Sequence, residues 1–292
     1  MNSFENYNPI SVFIYFMTVT VTAMICYNPV LILLSFFGSI SFYITLNKAQ
    51  KGKTHVFLFA LILVSAAINP IFNHNGATVL FIMNNNPVTL EAFIYGVFLG
   101  IMIASVMYWF AVFSQIMTSD KLLYLFGRIS PKTALLLSMT LRYIPLFSLQ
   151  IKKVSASQKT LGVYTDESIP DKLRGGIRVF SVMVTWALEN GIITADSMTA
   201  RGYGIGKRTH FSPYRFKVRD FVLSAVSLTL FTVSCVAVAS GTTAFSFYPY
   251  MSQIPLSAFA FLSYFCYGIA VFIPTFIEIK EVIRWKYSES KI

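Results

Sequence analysis

Residues 91–117 read EAFIYGVFLGIMIASVMYWFAVFSQIM, and this stretch decides the class of fold. Glu91, at its beginning, is its only charged residue. A helix crosses the hydrocarbon core of a bilayer with about 20 apolar residues, so this segment is long enough to span it. Comparable apolar runs are Ile10–Tyr27, Val30–Leu46, His55–Phe72, Phe221–Ser240 and Pro255–Glu278. The sequence therefore predicts an all-α polytopic membrane protein with about six transmembrane helices.

The overall composition also indicates lipid as the main solvent. Of 292 residues, 55% are hydrophobic and 12% are charged, whereas a soluble domain carries about 25% charged residues. The three cysteines lie inside apolar runs without a partner at metal-ligand spacing. We interpret Cys26, Cys235 and Cys266 as buried apolar residues and expect no cofactor.

Lysine and arginine are confined to three blocks of the chain. Residues 1–47, 54–120 and 220–279 contain neither, and sixteen of the 23 lie between Lys121 and Arg219. Because cytoplasmic loops concentrate Lys and Arg, this pattern predicts that both termini lie in the cytoplasm. We expect the membrane to be the plasma membrane. The net charge of +11 is then a topology signal, and no nucleic-acid-binding motif accompanies it.

Charge and apolar runs together divide the chain into three parts. Residues 1–118 form an N-terminal membrane region of about four spans. Residues 119–219 form a cytosolic module, between the fourth and fifth spans, of amphipathic helices at the inner face of the membrane. Residues 220–292 form two further spans and a short basic tail.

The first helix that we predict within the basic module begins at Pro145 and ends at Gly162. Proline is favoured at the first position of a helix and glycine just after its end. An apolar stripe at helical spacing runs along it: Phe147, Ile151, Val154 and Leu161.

A second helical region follows, from about Lys172 to Glu189. Asn190-Gly191 is predicted to break it, and a short helix then runs from about Ile193 to Arg201, ended by Gly202. The run GYGIG that begins at Gly202 has the spacing of a nucleotide-binding loop. It follows a helix instead of a strand, which excludes a Rossmann loop.

Catalytic groups are not evident in the sequence. An intramembrane enzyme needs ionisable groups at membrane depth, and none of the twelve acidic residues lies in the middle of a predicted span. His55, His74 and His210 are far apart in the sequence. No metal-binding HExxH sequence or paired carboxylates occur among sequence neighbours. We therefore expect a protein that is not an enzyme.

Residues 195–204, ADSMTARGYG, are the most informative part of the basic module. A cation such as Arg201 is favourable at the negative C-terminal end of a helix dipole. This structural effect is by itself enough to explain an arginine at this position. A functional interpretation is that the small neighbours Ala200 and Gly202 leave the guanidinium clear to bind a carboxylate of a partner in a bidentate manner.

Four segments in order resemble the transmembrane T component of energy-coupling factor (ECF) transporters, a group that includes the cobalt-transport permeases. The segments are Asn69-Pro70, Val88–Glu91, Leu141–Pro145 and Ala195–Tyr203, and the resemblance covers about Asn69 to Asp220. It implies a scaffold that docks two ATP-binding cassette subunits and holds a small substrate-binding membrane protein. That partner captures a vitamin or a transition-metal ion.

The resemblance also implies which residues contact the ATPase subunits. In this family two coupling motifs contact the ATPase subunits. The first corresponds here to Lys159, Leu161 and Gly162, and the second to Ala200, Arg201 and Gly202. Arg142, Asp196 and Tyr203 are expected to support these contacts. The first motif departs from the family, because Leu161 stands where the family has arginine. Lys159 lies about 200° around the helix from it. Either the first contact is apolar, or Lys159 reaches a different acid.

Two alternative functions stay open at this point. One is an ABC-type permease that itself carries the substrate, and the other, less favoured, is an intramembrane enzyme. On the scaffold interpretation the cargo is chosen by a separate protein, so this sequence does not specify it.

Overall fold

The computed structural model describes residues 4–46, 52–83, 86–162, 169–206 and 214–289, and these ranges are mostly α-helical. A short 3-10 helix, Phe4–Asn6, precedes the first α-helix. Five residues of the three basic blocks lie outside the described residues: Lys48, Lys51, Lys207, Arg208 and Lys291. The α-helices are α1 (Pro9–Ile25), α2 (Pro29–Leu46), α3 (Gly52–Phe72), α4 (Leu90–Ile116), α5 (Ser119–Ile129), α6 (Pro131–Thr160), α7 (Ile169–Ala200), α8 (Val218–Ala239) and α9 (Ala258–Glu289).

This architecture confirms the predicted all-α polytopic class. Seven described helices, α2, α3, α4, α6, α7, α8 and α9, have the length and apolar composition to cross a membrane. Helix α1 is apolar and has 17 residues, at the lower limit of what a bilayer requires. Helices α6 and α7 belong to the region that the sequence assigned to the membrane's inner face. The number of spans therefore stays a prediction.

The first two helices both begin at an Asn-Pro pair. The side-chain oxygen of Asn8 accepts a hydrogen bond from the backbone N–H of Ile10 at 3.0 Å, and that of Asn28 accepts one from Val30 at 3.0 Å. These bonds satisfy N–H groups that a helix start leaves without partners. Asn28-Pro29 thus separates α1 from α2, in agreement with the two apolar runs predicted on either side of it.

By internal contacts the chain divides into two compact units: a first unit of Met1–Leu122 and Tyr214–Ile292, and a second unit of Leu123–Pro213. In the first unit, α3 and α4 approach closely at two glycines. A Cβ added at Gly96 would lie 2.9 Å from the Ser65 carbonyl oxygen, and one at Gly100 would lie 2.9 Å from Ile62 Cα. Small residues four positions apart, such as Gly96 and Gly100, allow the backbones of two membrane helices to come close together.

The core of the first unit is aromatic. Trp109 is fully buried, its ring contacts Tyr15 and Phe16 edge-on, and its Nε1–H donates to Ser35 Oγ at 3.1 Å. A buried indole N–H needs such a partner, so the Ser35 hydroxyl fixes the ring within the bundle.

Between α3 and α4 the chain forms an antiparallel hairpin of β1 (Val79–Met83) and β2 (Asn86–Thr89). The all-α prediction did not include these strands. Glu91 accepts hydrogen bonds from the Thr78 backbone N–H through both carboxylate oxygens, at 3.2 and 3.3 Å. This carboxylate therefore fixes the hairpin to the start of α4.

Two predicted boundaries in the second unit are wrong. Helix α6 begins at Pro131 and contains Pro145 in its interior, because Ser130-Pro131 already supplies the N-cap and first-position proline that favour a start. Helix α7 continues through Asn190-Gly191. There the Asn190 side-chain amide donates to the Trp186 carbonyl at 2.9 Å, and an interior glycine costs only about 1 kcal/mol.

Candidate docking site for partner subunits

Helix α7 ends in a Schellman motif at the ADSMTARGYG sequence. Gly202 has φ 80°, in the left-handed region. Its N–H donates to the Thr199 carbonyl at 2.9 Å, and the N–H of Tyr203 donates to the Met198 carbonyl at 3.0 Å. These two bonds define the motif and make Arg201 the capping residue. The prediction that Gly202 ends the helix is confirmed.

Helix α6 also ends at a glycine in the left-handed region. Gly162 has φ 70° and donates its N–H to the Lys159 carbonyl at 3.1 Å. Leu161 is the capping residue, as Arg201 is in α7. The predicted end at Gly162 is confirmed, and the two helix ends place Leu161 and Arg201 at equivalent backbone positions.

Both capping side chains are accessible. Leu161 is 78% exposed and Arg201 is exposed. Within the described part of the chain, the Arg201 guanidinium makes no hydrogen bond or ion pair. A guanidinium carries five donors in a planar fork, so this one is available to an acceptor on another molecule.

The remaining candidate residues lie around these two ends or along α6. Ala200 and Asp196 are exposed on the last turns of α7, and Tyr203 is 43% exposed just beyond it. Lys159 is exposed on the last turn of α6. Arg142 is exposed on α6 well before its end, and therefore belongs to neither capping motif.

Helices α6 and α7 contact each other through residues that the sequence analysis did not single out as partners. The hydroxyls of Tyr143 and Thr194 are 2.8 Å apart, and the ring of Phe147 meets that of Trp186 edge-on at 5.5 Å between centroids. The pairing order shows that the helices cross in an antiparallel sense. Leu161 lies about 20 Å beyond Phe147 along α6, and Arg201 about 10 Å beyond Thr194 along α7. The two capping motifs thus leave the crossing in diverging directions.

The predicted apolar stripe of α6 is partly wrong. Phe147 and Val154 are half-buried, but Ile151 is 45% exposed and Leu161 is 78% exposed. The inward face instead continues through the buried Gln158.

Many apolar side chains of the second unit are exposed. Along α7 they include Leu173, Ile177, Phe180, Leu188 and Ile192, all more than 60% exposed. Such a surface is stable only against lipid or another protein. The second unit therefore presents a large contact surface beside its two capping motifs.

Within the described ranges, no group of three or more His, Cys, Asp or Glu side chains is placed to hold a metal ion. Cys26, Cys235 and Cys266 are free thiols. His210 lies outside the described residues.

Comparison with known proteins identifies one family. The family described as cobalt transport protein, CbiQ, matches residues 6–211, a range that contains both capping motifs. No curated protein matches the chain. The match and the seven long apolar helices make the chain a multi-pass membrane protein and a transport component. They also confirm the resemblance found in the four sequence segments, and the chain belongs to the CbiQ family of cobalt transport proteins.

Proposed function

We propose that the chain is the transmembrane scaffold of an ECF-type ABC importer in the plasma membrane. It transmits ATP-driven motion from two ATPase subunits to a separate substrate-binding membrane protein, for uptake of a vitamin or a transition-metal ion. One observation carries the proposal: in a member of this transport family, Arg201 stands exposed and unpaired, among described residues, at a glycine-ended helix terminus.

The chemistry of Arg201 supports docking to an acidic groove. A guanidinium binds a carboxylate through two parallel hydrogen bonds, which gives direction as well as energy. Ala200 and Gly202 on either side add little bulk. Gly202 also turns the chain sharply away from the helix axis, so that a partner surface can approach the arginine closely.

Leu161 supports a second, apolar contact. It holds the same capping position as Arg201, and 78% of its surface is exposed. In this proposal Leu161 packs into an apolar part of the second ATPase groove, and Lys159, which lies on another side of the helix, is not part of that contact. The two grooves are then engaged by different chemistry.

The exposed apolar surface of the second unit accommodates the third partner. A small hydrophobic substrate-binding protein covers it from within the bilayer, while the ATPases bind the two helix ends. Residues 119–219 then act as the coupling module on the cytosolic side, and both termini are cytosolic. The division of the chain at Leu123–Pro213 supports this assignment.

A permease that itself carries the cargo needs a polar site within its spans. A cavity of about 150 Å³ between α1 and α4 does not provide such a site, because its lining is almost entirely apolar. The lining residues are Phe16, Met17, Thr20, Val21, Met24, Trp109, Phe110 and Phe113. Metal ions require charged or imidazole ligands, and a vitamin requires several converging polar groups. This cavity offers a single hydroxyl.

The test is purification of the tagged chain from gently solubilised membranes, with mass spectrometry and an ATPase assay. We expect two ATPase subunits and one small hydrophobic protein for each chain. Recovery of the chain alone in several detergents, with binding of Co²⁺ or a vitamin by the isolated chain, would instead establish the permease.

A further inference from the structure

The backbone of the N-terminal segment, residues 4–8, is held by charged side chains from three other parts of the chain. Glu278 of α9 accepts from the Phe4 N–H at 2.7 Å, and Asp220 of α8 accepts from the Asn8 N–H at 2.9 Å. Lys121 Nζ donates to the Glu5 carbonyl at 2.7 Å. We call residues 4–8, together with Lys121, Arg219, Asp220 and Glu278, the N-terminal clasp.

Arg219 adds two further contacts to the clasp. One of its terminal nitrogens donates to the Asn6 carbonyl at 3.0 Å, and its guanidinium carbon lies 4.9 Å from the centre of the Tyr7 ring. Each of the five residues of the segment thus contacts a charged side chain that is distant in sequence.

Three of the four charged side chains that hold the clasp are buried, so their contacts are costly to break. Lys121 is 5% exposed, Asp220 1% and Glu278 3%. A buried charge is stable only when it is hydrogen-bonded, and here the N-terminal backbone supplies those bonds. Burial lowers the pKa of the Lys121 ammonium, with the Glu5 carboxylate opposing the shift.

Phe4 anchors the segment in the aromatic core. Its side chain is fully buried, and its ring meets Tyr15 and Phe42 edge-on at 5.6 and 5.7 Å between centroids. Helices α1 and α2 are therefore in direct contact with the clasp.

The clasp also lies at both points where the first unit connects to the second. Lys121 directly precedes Leu122, where the first part of the first unit ends, and its Nζ also donates at 2.9 Å to the carbonyl of Ile116, the last residue of α4. Asp220 accepts from the Lys217 N–H at 2.8 Å, just after the chain re-enters the first unit at Tyr214.

We propose that the N-terminal clasp is the element that passes movement at these two connections to α1. Pulling on either connection shifts Lys121 or Asp220, and their bonds to Glu5 and Asn8 shift the residues that precede α1. The proposal rests on the proposed function, since it assumes that ATPase subunits move the second unit. Lys121, Arg219 and Asp220 are positioning residues in this account.

The experiment measures hydrogen exchange in the purified complex of the full chain with its ATPases, with and without a non-hydrolysable ATP analogue. In the wild type, the analogue should change exchange both at residues 196–206 and at residues 4–12. In Lys121→Met, the change at 196–206 should remain, while that at 4–12 should fall about tenfold, because each hydrogen bond from a charged donor contributes about tenfold to an equilibrium. Lys280→Met, at an exposed lysine of α9, is the matched control and should respond as the wild type.

Arg219→Gln gives a second test that does not disturb the core, because Arg219 is exposed. It should reduce the nucleotide-dependent change in exchange at residues 4–12 by a smaller factor. If Lys121→Met does not fold, Arg219→Gln alone tests the clasp. A wild-type response at residues 4–12 in these variants would overturn the clasp alone. Absence of any nucleotide response at 196–206 in the wild type would overturn the proposed docking function, and the clasp with it.

Discussion

Replacing Gly202 by alanine should weaken binding of the ATPase subunits, because Gly202 holds a left-handed backbone conformation at φ 80°. That conformation costs a residue with a Cβ about 1–2 kcal/mol. Space is not limiting, since the nearest atom to an added Cβ is Ile205 Cδ1 at 3.6 Å. The whole cost is therefore backbone strain.

The strain should affect binding more than folding. The free helix end can relieve it by unwinding the last turn of α7, whereas the docked Arg201 needs the Schellman geometry. Because about 1.4 kcal/mol corresponds to a tenfold change in an equilibrium constant, we expect the affinity for the ATPase subunits to fall up to about tenfold. The thermal midpoint should change little.

Two variants make the measurement specific. Gly202→Asn should retain most of the affinity, because asparagine tolerates the left-handed region. Gly191→Ala makes the same chemical change inside α7, where nothing lies within 4 Å of an added Cβ. It should leave binding unchanged and stabilise the helix by about 1 kcal/mol. Titration of detergent-solubilised chain against the ATPases gives the ranking, and equal affinities for Gly202→Ala and wild type would refute the reasoning.

Three further changes probe other parts of the account. Gly100→Ala should destabilise the first unit by about 1–3 kcal/mol, because the new Cβ would lie 2.9 Å from Ile62 Cα; an unchanged midpoint in thermal unfolding would contradict the close packing of α3 on α4. Leu161→Arg places at the first capping position the residue type that holds the second. It should lower ATPase affinity, because the proposed contact is apolar, and a raised affinity would show that the groove carries an acid instead. Tyr143→Phe removes a 2.8 Å hydrogen bond to Thr194. It should lower the free energy of unfolding by about 1 kcal/mol, and a loss below about 0.3 kcal/mol would show that this bond does not hold α6 to α7. Denaturant titration of the solubilised chain measures the difference.

Features with a local cause could be predicted from the sequence. The apolar run at residues 91–117 predicted the bounds of α4, Leu90–Ile116, to within one residue. Its length and lack of charge are those of a membrane-spanning helix. Gly162 and Gly202 marked helix ends because only glycine adopts φ 70° and 80° without strain. Both capping residues therefore followed from the sequence.

Features that depend on tertiary contacts could not be predicted in this way. Pro145 lies inside α6 and Gly191 lies inside α7. The rules that place proline at a helix start and glycine at a helix end consider only neighbouring residues, and here the residues on both sides continue the helix. The clasp was out of reach for a different reason. Phe4 and its partner Glu278 are 274 positions apart, and nothing in the composition of residues 4–8 indicates that their backbone will be bound by buried charges.

The most direct test of the scaffold account is the affinity of the purified chain for its ATPase subunits when Arg201 is changed to glutamate. Losing a desolvated arginine–carboxylate contact costs about 2–5 kcal/mol, so Arg201→Glu should bind at least about thirtyfold more weakly while inserting into membranes normally. Lys172→Glu, at an exposed residue near the other end of α7, is the charge-matched control and should bind as the wild type does. Wild-type affinity in Arg201→Glu would contradict the account.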